Sequence, residues 1–435
     1  MKFRKLSQLA LVSAIGLGVA TLLTSCQLVT IDYVFVAASA GTTAGSAGQL
    51  YGYAVDAQSG AIRSAIPPVA SGGTNPVALA TTSDYYHLYA ANQGNNTVVH
   101  FNVASSGLLT ESGSIDLSPA TPVAIAVNPA NTYLYVVSYQ PSNSANTATL
   151  TEYALSNGAI GSATASVALS LNCSNATSTN NVPYYPGDVM APTAVTVLAN
   201  GSAVFVAAYD QSAYNPGGTV TSGNTNPGWI FGLKIGSSGV LTSAANNCVN
   251  TATGSSTYQY DLYQAGVKPS SLATDPVSRF VFATDYPNNG LIGYSVLSSD
   301  ALQYMINGPF KTGNEPTAAI IDPRGIYLYV TNSLDNTVSA YSIALPTGTP
   351  STVVNATSTT GNATDSDPVA IAIEPSLGRF IYTANRLANT ISGFRLNPNT
   401  GTITGIQAQP YPTGAYPTAI VTVPHGNHAT EAVTP

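Results

Sequence analysis

The chain has 435 residues, of which only 7% are charged, with 38 glycines, 28 prolines and 26 tyrosines. So little charge with so many aromatics does not fit disorder, and the missing 3.6-residue Glu/Lys/Leu period argues against long helices. A formal net charge of −7 without any basic run argues against a nucleic-acid partner.

Lys2, Arg4 and Lys5 precede an apolar run from about Leu9 to Leu23, followed by Thr24-Ser25-Cys26. This reads as a secretory signal, too short and wrongly flanked for a stable membrane span. The cysteine at its end resembles the bacterial lipobox. That resemblance implies a signal peptide over 1–25, acylation of Cys26 and a short linker over 26–32. Removing the signal leaves nine basic residues against 19 acidic, a net charge of −10. A bacterial envelope location follows, with the membrane as partner through the lipid. Gln27 resembles the outer-membrane sorting pattern. Two further cysteines, Cys173 and Cys248, precede Pro192 and Pro269 by 19 and 21 residues, and in an oxidising compartment a disulfide is expected.

From about residue 33 one unit recurs. A short strand opens with Pro at Pro76, Pro122, Pro192, Pro269, Pro316, Pro368 and Pro417. A second strand places an aromatic at Tyr89, Tyr135, Phe205, Phe282, Tyr329 and Tyr382, 13 residues after the Pro five times and 14 once. Proline suits the first strand position, where no ladder donor is lost. Turns such as Asp322-Pro323-Arg324-Gly325 use Pro to preset φ and Gly to accept positive φ. Third strands follow at Phe101, Tyr153, Leu233, Tyr294, Tyr341 and Phe394, and weak fourth strands begin near Gly107-Leu108-Leu109 and Gly239-Val240-Leu241. Four antiparallel strands per repeat match a propeller blade. The N-terminus offers second and third strands at Phe35 and Tyr53 without a first, and the C-terminus offers a first strand at Pro417 without a second. The expected fold is therefore an all-β seven-bladed propeller over 33–424. The C-terminal strand closes the N-terminal blade, and a disordered tail follows over 425–435.

In such blades the 2–3 loops and the 4–1 connections share one face. The long insertions belong to these two classes, clustered over about 133–268, and loops on a rigid scaffold are where sites usually sit. The mouth of the channel on that face is expected to gather the second-strand ends Asn92, Tyr139, Asp210, Asp285, Asn332, Asn385 and Arg386. The residues before each Pro add Lys268, Glu315 and Asp367. Arg386 with the carboxylates Asp210, Asp285 and Glu315 forms the candidate catalytic set, and the remainder are candidate ligand contacts. His87 and His100 fall on strands, at exposed or inter-blade faces, and no metal-binding spacing or phosphate-binding glycine loop is present. No metal or cofactor is expected, and Arg279, Arg324 and Arg379 read as surface residues of the opposite face.

YLYVTN at 327–332 and FIYTAN at 380–385 resemble the YVTN-repeat family, related to the seven-bladed lactonases of the 6-phosphogluconolactonase and carboxymuconate-cyclase type. The stretch Asn385-Arg386-Leu387-Ala388 is similar to a lactonase segment in which a Gly-His pair follows Asn-Arg; Leu387 and Ala388 stand in place of that pair. The resemblance specifies blades more than chemistry. Two functions follow as expectations: an envelope scaffold that binds a small molecule or protein through the insertion face, or a lactonase-like hydrolase. A monomer is expected.

Overall fold

The computed structural model describes residues 29–39, 47–140, 147–171, 188–214, 226–237, 239–242, 248–249, 259–353 and 362–426. Its strands form seven antiparallel sheets. The first strands are Pro76–Thr81, Thr121–Val127, Met190–Val197, Pro269–Thr274, Pro316–Ile321, Pro368–Ile373 and Pro417–Pro424, opening blades 1 to 7 in that order. Each touches the first strand of the next blade, and the last touches that of blade 1, so seven inner strands enclose a central channel. Blade 7 is completed from the N-terminus. Thr30–Ala38 pairs with Pro417–Pro424, Tyr33 opposite Val423 and Val36 opposite Ile420, and Ala47–Asp56 and Ile62–Thr74 follow outward. This closure gives blade 7 its innermost strand and ties the two ends of the chain into one sheet.

The second strands are buried on both sides because alternate residues face opposite neighbouring blades. In blade 5, Tyr327 and Tyr329 pack with Ile371, Ile381 and Phe394 of blade 6, while Leu328 and Val330 pack with Phe280 and Phe282 of blade 4. The repeated aromatic also makes a polar latch. The hydroxyls of Tyr89, Tyr329 and Tyr382 donate to the carbonyls of Gly158, Gly401 and Gly60 in the next blade, at 2.7, 2.9 and 2.6 Å. Those glycines have φ of 76°, 71° and 73°, and a Cβ there would strike His87, Tyr327 or Phe380. Only glycine combines that backbone with so close an approach. On the inner ring, Ser270, Thr317 and Thr418 donate to the carbonyls of Pro316, Pro368 and Pro76 in the following blade, each at 2.6 Å.

Two expectations change. Arg279 and Arg324 are latches rather than plain surface: Arg279 pairs with Asp275 and reaches the Gly325 carbonyl, and Arg324 pairs with Asp322 and reaches the Leu377 and Gly378 carbonyls. The insertion at 243–258 interrupts the fourth strand of blade 3 rather than joining two blades. Leu241–Thr242 and Gln259–Gln264 both pair with Gly228–Ile235, at its opposite ends. The Cys248–Val249 backbone pairs with Gln259–Tyr260 at the outer edge of that blade. Cys26, Cys173 and the Cys248 side chain lie outside the described residues, as does the tail beyond 426.

Candidate functional site

Two positions per blade come together where the inner strands meet the insertion face. One is the residue before the opening Pro, and the other is the first residue past the YVTN-type segment. In blade 4 the Tyr286 amide donates to the Lys268 carbonyl at 3.0 Å, in blade 5 that of Ser333 to Glu315 at 2.9 Å, and in blade 6 that of Arg386 to Asp367 at 2.8 Å. Blades 1 and 7 repeat the bond with Gln93 to Asn75 and Ser39 to Tyr416. Asn75, Glu315, Asp367 and Tyr416 have φ between 50° and 61°. A non-glycine residue before proline disfavours that region, and such strain costs about 1–3 kcal/mol per residue. It is held by the paired amide and aims the side chain over the rim.

The rim is not uniform. Tyr209 and Tyr214 of blade 3 and Tyr286 of blade 4 surround the Lys268 ammonium, with ring centroids 5.4, 5.7 and 5.4 Å from Nζ. Lys268 has no carboxylate within ion-pair distance among the described residues. Burial pulls its pKa below the ordinary lysine value, against the opposing pull of the Glu315 charge. Tyr286 donates to Glu315 Oε2 at 2.6 Å, and the Ser333 hydroxyl lies 3.4 Å from the same oxygen. Burial, that bond and the charges of Glu315 and Asp367 push the Tyr286 hydroxyl up to about 12, so it stays a donor. Asp367, one blade further on, accepts from Arg386 Nε at 2.8 Å; the Arg386 side chain is half-exposed. Tyr139 of blade 2 extends the arc by donating to Gln211 Oε1 at 3.2 Å. Blades 7 and 1 contribute neutral groups, with Asn75 donating to Gln93 at 3.0 Å.

The expectation that second-strand ends line the mouth is corrected for Asn92, Asp210, Asp285, Asn332 and Asn385. All are buried and hydrogen-bonded, Asn92 across to the outermost strand of blade 7 and the others within their own blade region. Asn92 bonds the Ser71 carbonyl at 2.9 Å, Asn332 bonds Thr337 and Ser339, and Asn385 bonds Thr390 and Ser392. Asp285 accepts from the Val267 and Lys268 amides and from Asn288, and Asp210 from the Val189 and Ser212 amides. A strand alternates its side chains, so in blades 1, 4, 5 and 6 the residue ending the pairing points into the blade and the next one points to the rim, while in blade 3 the rim residue Tyr209 precedes the buried Asp210. Of the rim positions, the expected set contains Tyr139 and Arg386 and lacks Tyr209, Tyr286, Ser333 and Gln93. The recoverable signal was parity relative to the buried Tyr329-type aromatic, four residues before each rim side chain. His87 and His100 lie elsewhere, between blades 1 and 2, with His100 Nε2 2.9 Å from His87 Nδ1 and stacked on Tyr89.

With the ring and its rim in place, the class is a seven-bladed propeller with a mixed-charge, tyrosine-rich mouth. The chain belongs to the lactonase family of seven-bladed β-propellers, whose model matches residues 36–180 and 147–430. Among solved structures it is similar to the periplasmic gluconolactonase PpgL of Pseudomonas aeruginosa, with TM-score 0.66, 15% identity, and 91% of this chain and 99% of that one covered. A Bacteroides uniformis protein described as a candidate 6-phosphogluconolactonase gives TM-score 0.65 and 16% identity over 91% and 100%. A Lactobacillus plantarum protein gives 0.61 and 13% over 90% and 99%. At these identities the likeness concerns the fold alone. No curated protein matches the sequence.

Proposed function

We propose that this propeller hydrolyses a small lactone at the charged arc of its insertion-face rim. The observation that carries the reading is one array, Lys268–Tyr286–Glu315, in which a tyrosine joins a half-buried cation to a carboxylate. Glu315 takes a proton from water as the oxygen attacks the ring carbonyl carbon. The Lys268 ammonium faces the negative charge that develops on the carbonyl oxygen, where a fixed charge lowers the barrier most. Collapse breaks the ring C–O bond, and the protonated Glu315 returns the proton to the departing alkoxide, giving a hydroxy acid. Tyr286 holds the carboxylate in place. Arg386, anchored by Asp367, offers its terminal nitrogens to a hydroxyl or carboxylate of the substrate. Family membership and the likeness to a periplasmic gluconolactonase support the lactone class.

The test is acid release from glucono-δ-lactone by purified protein. Lys268→Met and Glu315→Gln should each lower kcat at least 100-fold while leaving the melting temperature within about 2 °C. A wild-type rate equal to the spontaneous one would overturn the hydrolase reading. Four rim tyrosines (139, 209, 214 and 286) favour a second reading, binding without turnover, since such rings are ready stacking surfaces. Calorimetric binding of gluconate with no hydrolysis would select it.

A further inference from the structure

The opposite face carries a different feature. Between blades 6 and 7 a crevice of about 650 Å³ is lined by Gln58, Arg379, Phe380, Arg395, Asn397 and Thr404 among others. A crevice alone is unremarkable in this fold, because one of about 680 Å³ opens at the same level between blades 2 and 3, lined only by neutral residues such as Asn128, Thr132, Asn200 and Ser202. What sets the first apart is two arginines in a chain with 12 basic residues against 19 acidic ones.

The three arginines of the 1–2 turns differ in what they do. Arg279 holds Asp275 through Nε and Nη2, both at 2.8 Å, and Arg324 pairs with Asp322. In blade 6 a glutamate replaces that aspartate, and the turn from Glu374 to Arg379 is one residue longer than that from Asp275 to Arg279. The longer carboxylate is consumed by backbone, accepting from the Leu377, Arg379 and Phe380 amides at 2.8, 2.6 and 3.3 Å. The Arg379 guanidinium therefore makes no hydrogen bond or ion pair among the described residues, and it lies exposed on the crevice wall. Arg395 stands across from Phe380 in the strand register and from Thr404 on the other side. Its guanidinium lies over the Phe380 ring, 5.6 Å from the centroid, and donates to the Gln58 carbonyl. One cation is thus held in place and the other is unused.

We propose that this crevice binds a small oxyanion-bearing molecule, a carboxylate or phosphate, between Arg379 and Arg395. Planar guanidinium groups match the two oxygens of such groups bidentately. Gln58, Asn397 and Thr404 provide neutral polar groups around the charge, and the Phe380 ring backs Arg395. The site lies on the face away from the lactone-binding rim and does not depend on the activity proposed there.

Calorimetric titration of the full chain with citrate and, separately, inorganic phosphate at low ionic strength tests this and distinguishes the two oxyanions. Saturable binding of at least one is expected. Arg379→Gln should weaken it at least tenfold without changing the melting temperature, since that side chain bonds none of the described residues. Arg395→Gln should weaken it similarly, and Lys268→Met should leave it unchanged. No saturable binding of either anion would overturn the proposal. So would binding that survives Arg379→Gln, or binding that is lost in Lys268→Met.

Discussion

Asp285 and Tyr286 are neighbours in the chain with opposite roles, and the same contrast repeats at Asn332 and Ser333 and at Asn385 and Arg386. The first member of each pair is buried and hydrogen-bonded inside its blade; the second stands on the rim. Polarity alone does not distinguish them. The pleat does, by sending adjacent side chains to opposite sides. The first set ties the blade to its own connections; of the second set, Tyr286 and Arg386 are accessible and Ser333, though on the rim, is buried.

Substitutions should separate the two sets. The largest effect on stability is expected from Asp285→Ala, which removes the buried acceptor of the half-buried Val267 and Lys268 amides and of the exposed Asn288 side chain. A loss of about 2 kcal/mol in urea unfolding follows from two half-buried amides left without their acceptor, at the lower end of roughly 1–3 kcal/mol each; a loss below about 1 kcal/mol would mean the lock is dispensable. Tyr286→Phe should instead lower kcat about tenfold, because it removes only the bond to Glu315, and should leave stability within about 1 kcal/mol. Equal effects at both positions would erase the distinction.

Acid–base behaviour should divide the same way. At the ring closure, burial and the neighbouring Glu374 charge hold the Asp32 carboxyl well above the usual carboxylate range, with Ser376 donating to it at 2.6 Å. The folded state therefore binds a proton that the unfolded state releases near pH 4. Its contribution to stability is complete below that pH and is lost as pH rises toward the raised value. Urea midpoints should fall between about pH 5 and pH 9, and Asp32→Asn should flatten that slope. Activity should respond to Lys268 instead. Its lowered pKa means the rate declines on the alkaline side at a pH below that of an ordinary lysine, and Asp32→Asn should not move that limb. The smallest effect is expected in the neutral arc. Gln93→Ala should change kcat less than twofold and stability by less than about 0.5 kcal/mol, measured by the same assays.

Much of the fold was legible in the chain. Thirteen residues from Pro to aromatic define a first strand, a tight turn and a second strand, and the unmatched ends at Phe35 and Pro417 imply the closure that the register of Tyr33 with Val423 displays. The rim was legible in part. Lys268, Glu315 and Asp367 follow from their place before proline, whereas Asn332 and Asp285 were misplaced by one residue. The latching role of Arg279 and Arg324 could not be read at all, because their acceptor carbonyls at Gly325 and Gly378 lie 46 and 54 residues away.

By itself, then, the sequence determined the blade, the number of blades and the way the ring closes, since these rest on local period and turn chemistry repeated along the chain. The tertiary structure decided which polar residues meet. Lys268 lies among tyrosines of two blades, Tyr286 bonds a carboxylate of a third, and Arg379 faces a crevice with no carboxylate among the described residues to hold it. Those meetings depend on how the blades are set around the ring, and no stretch of sequence within one repeat carries that information.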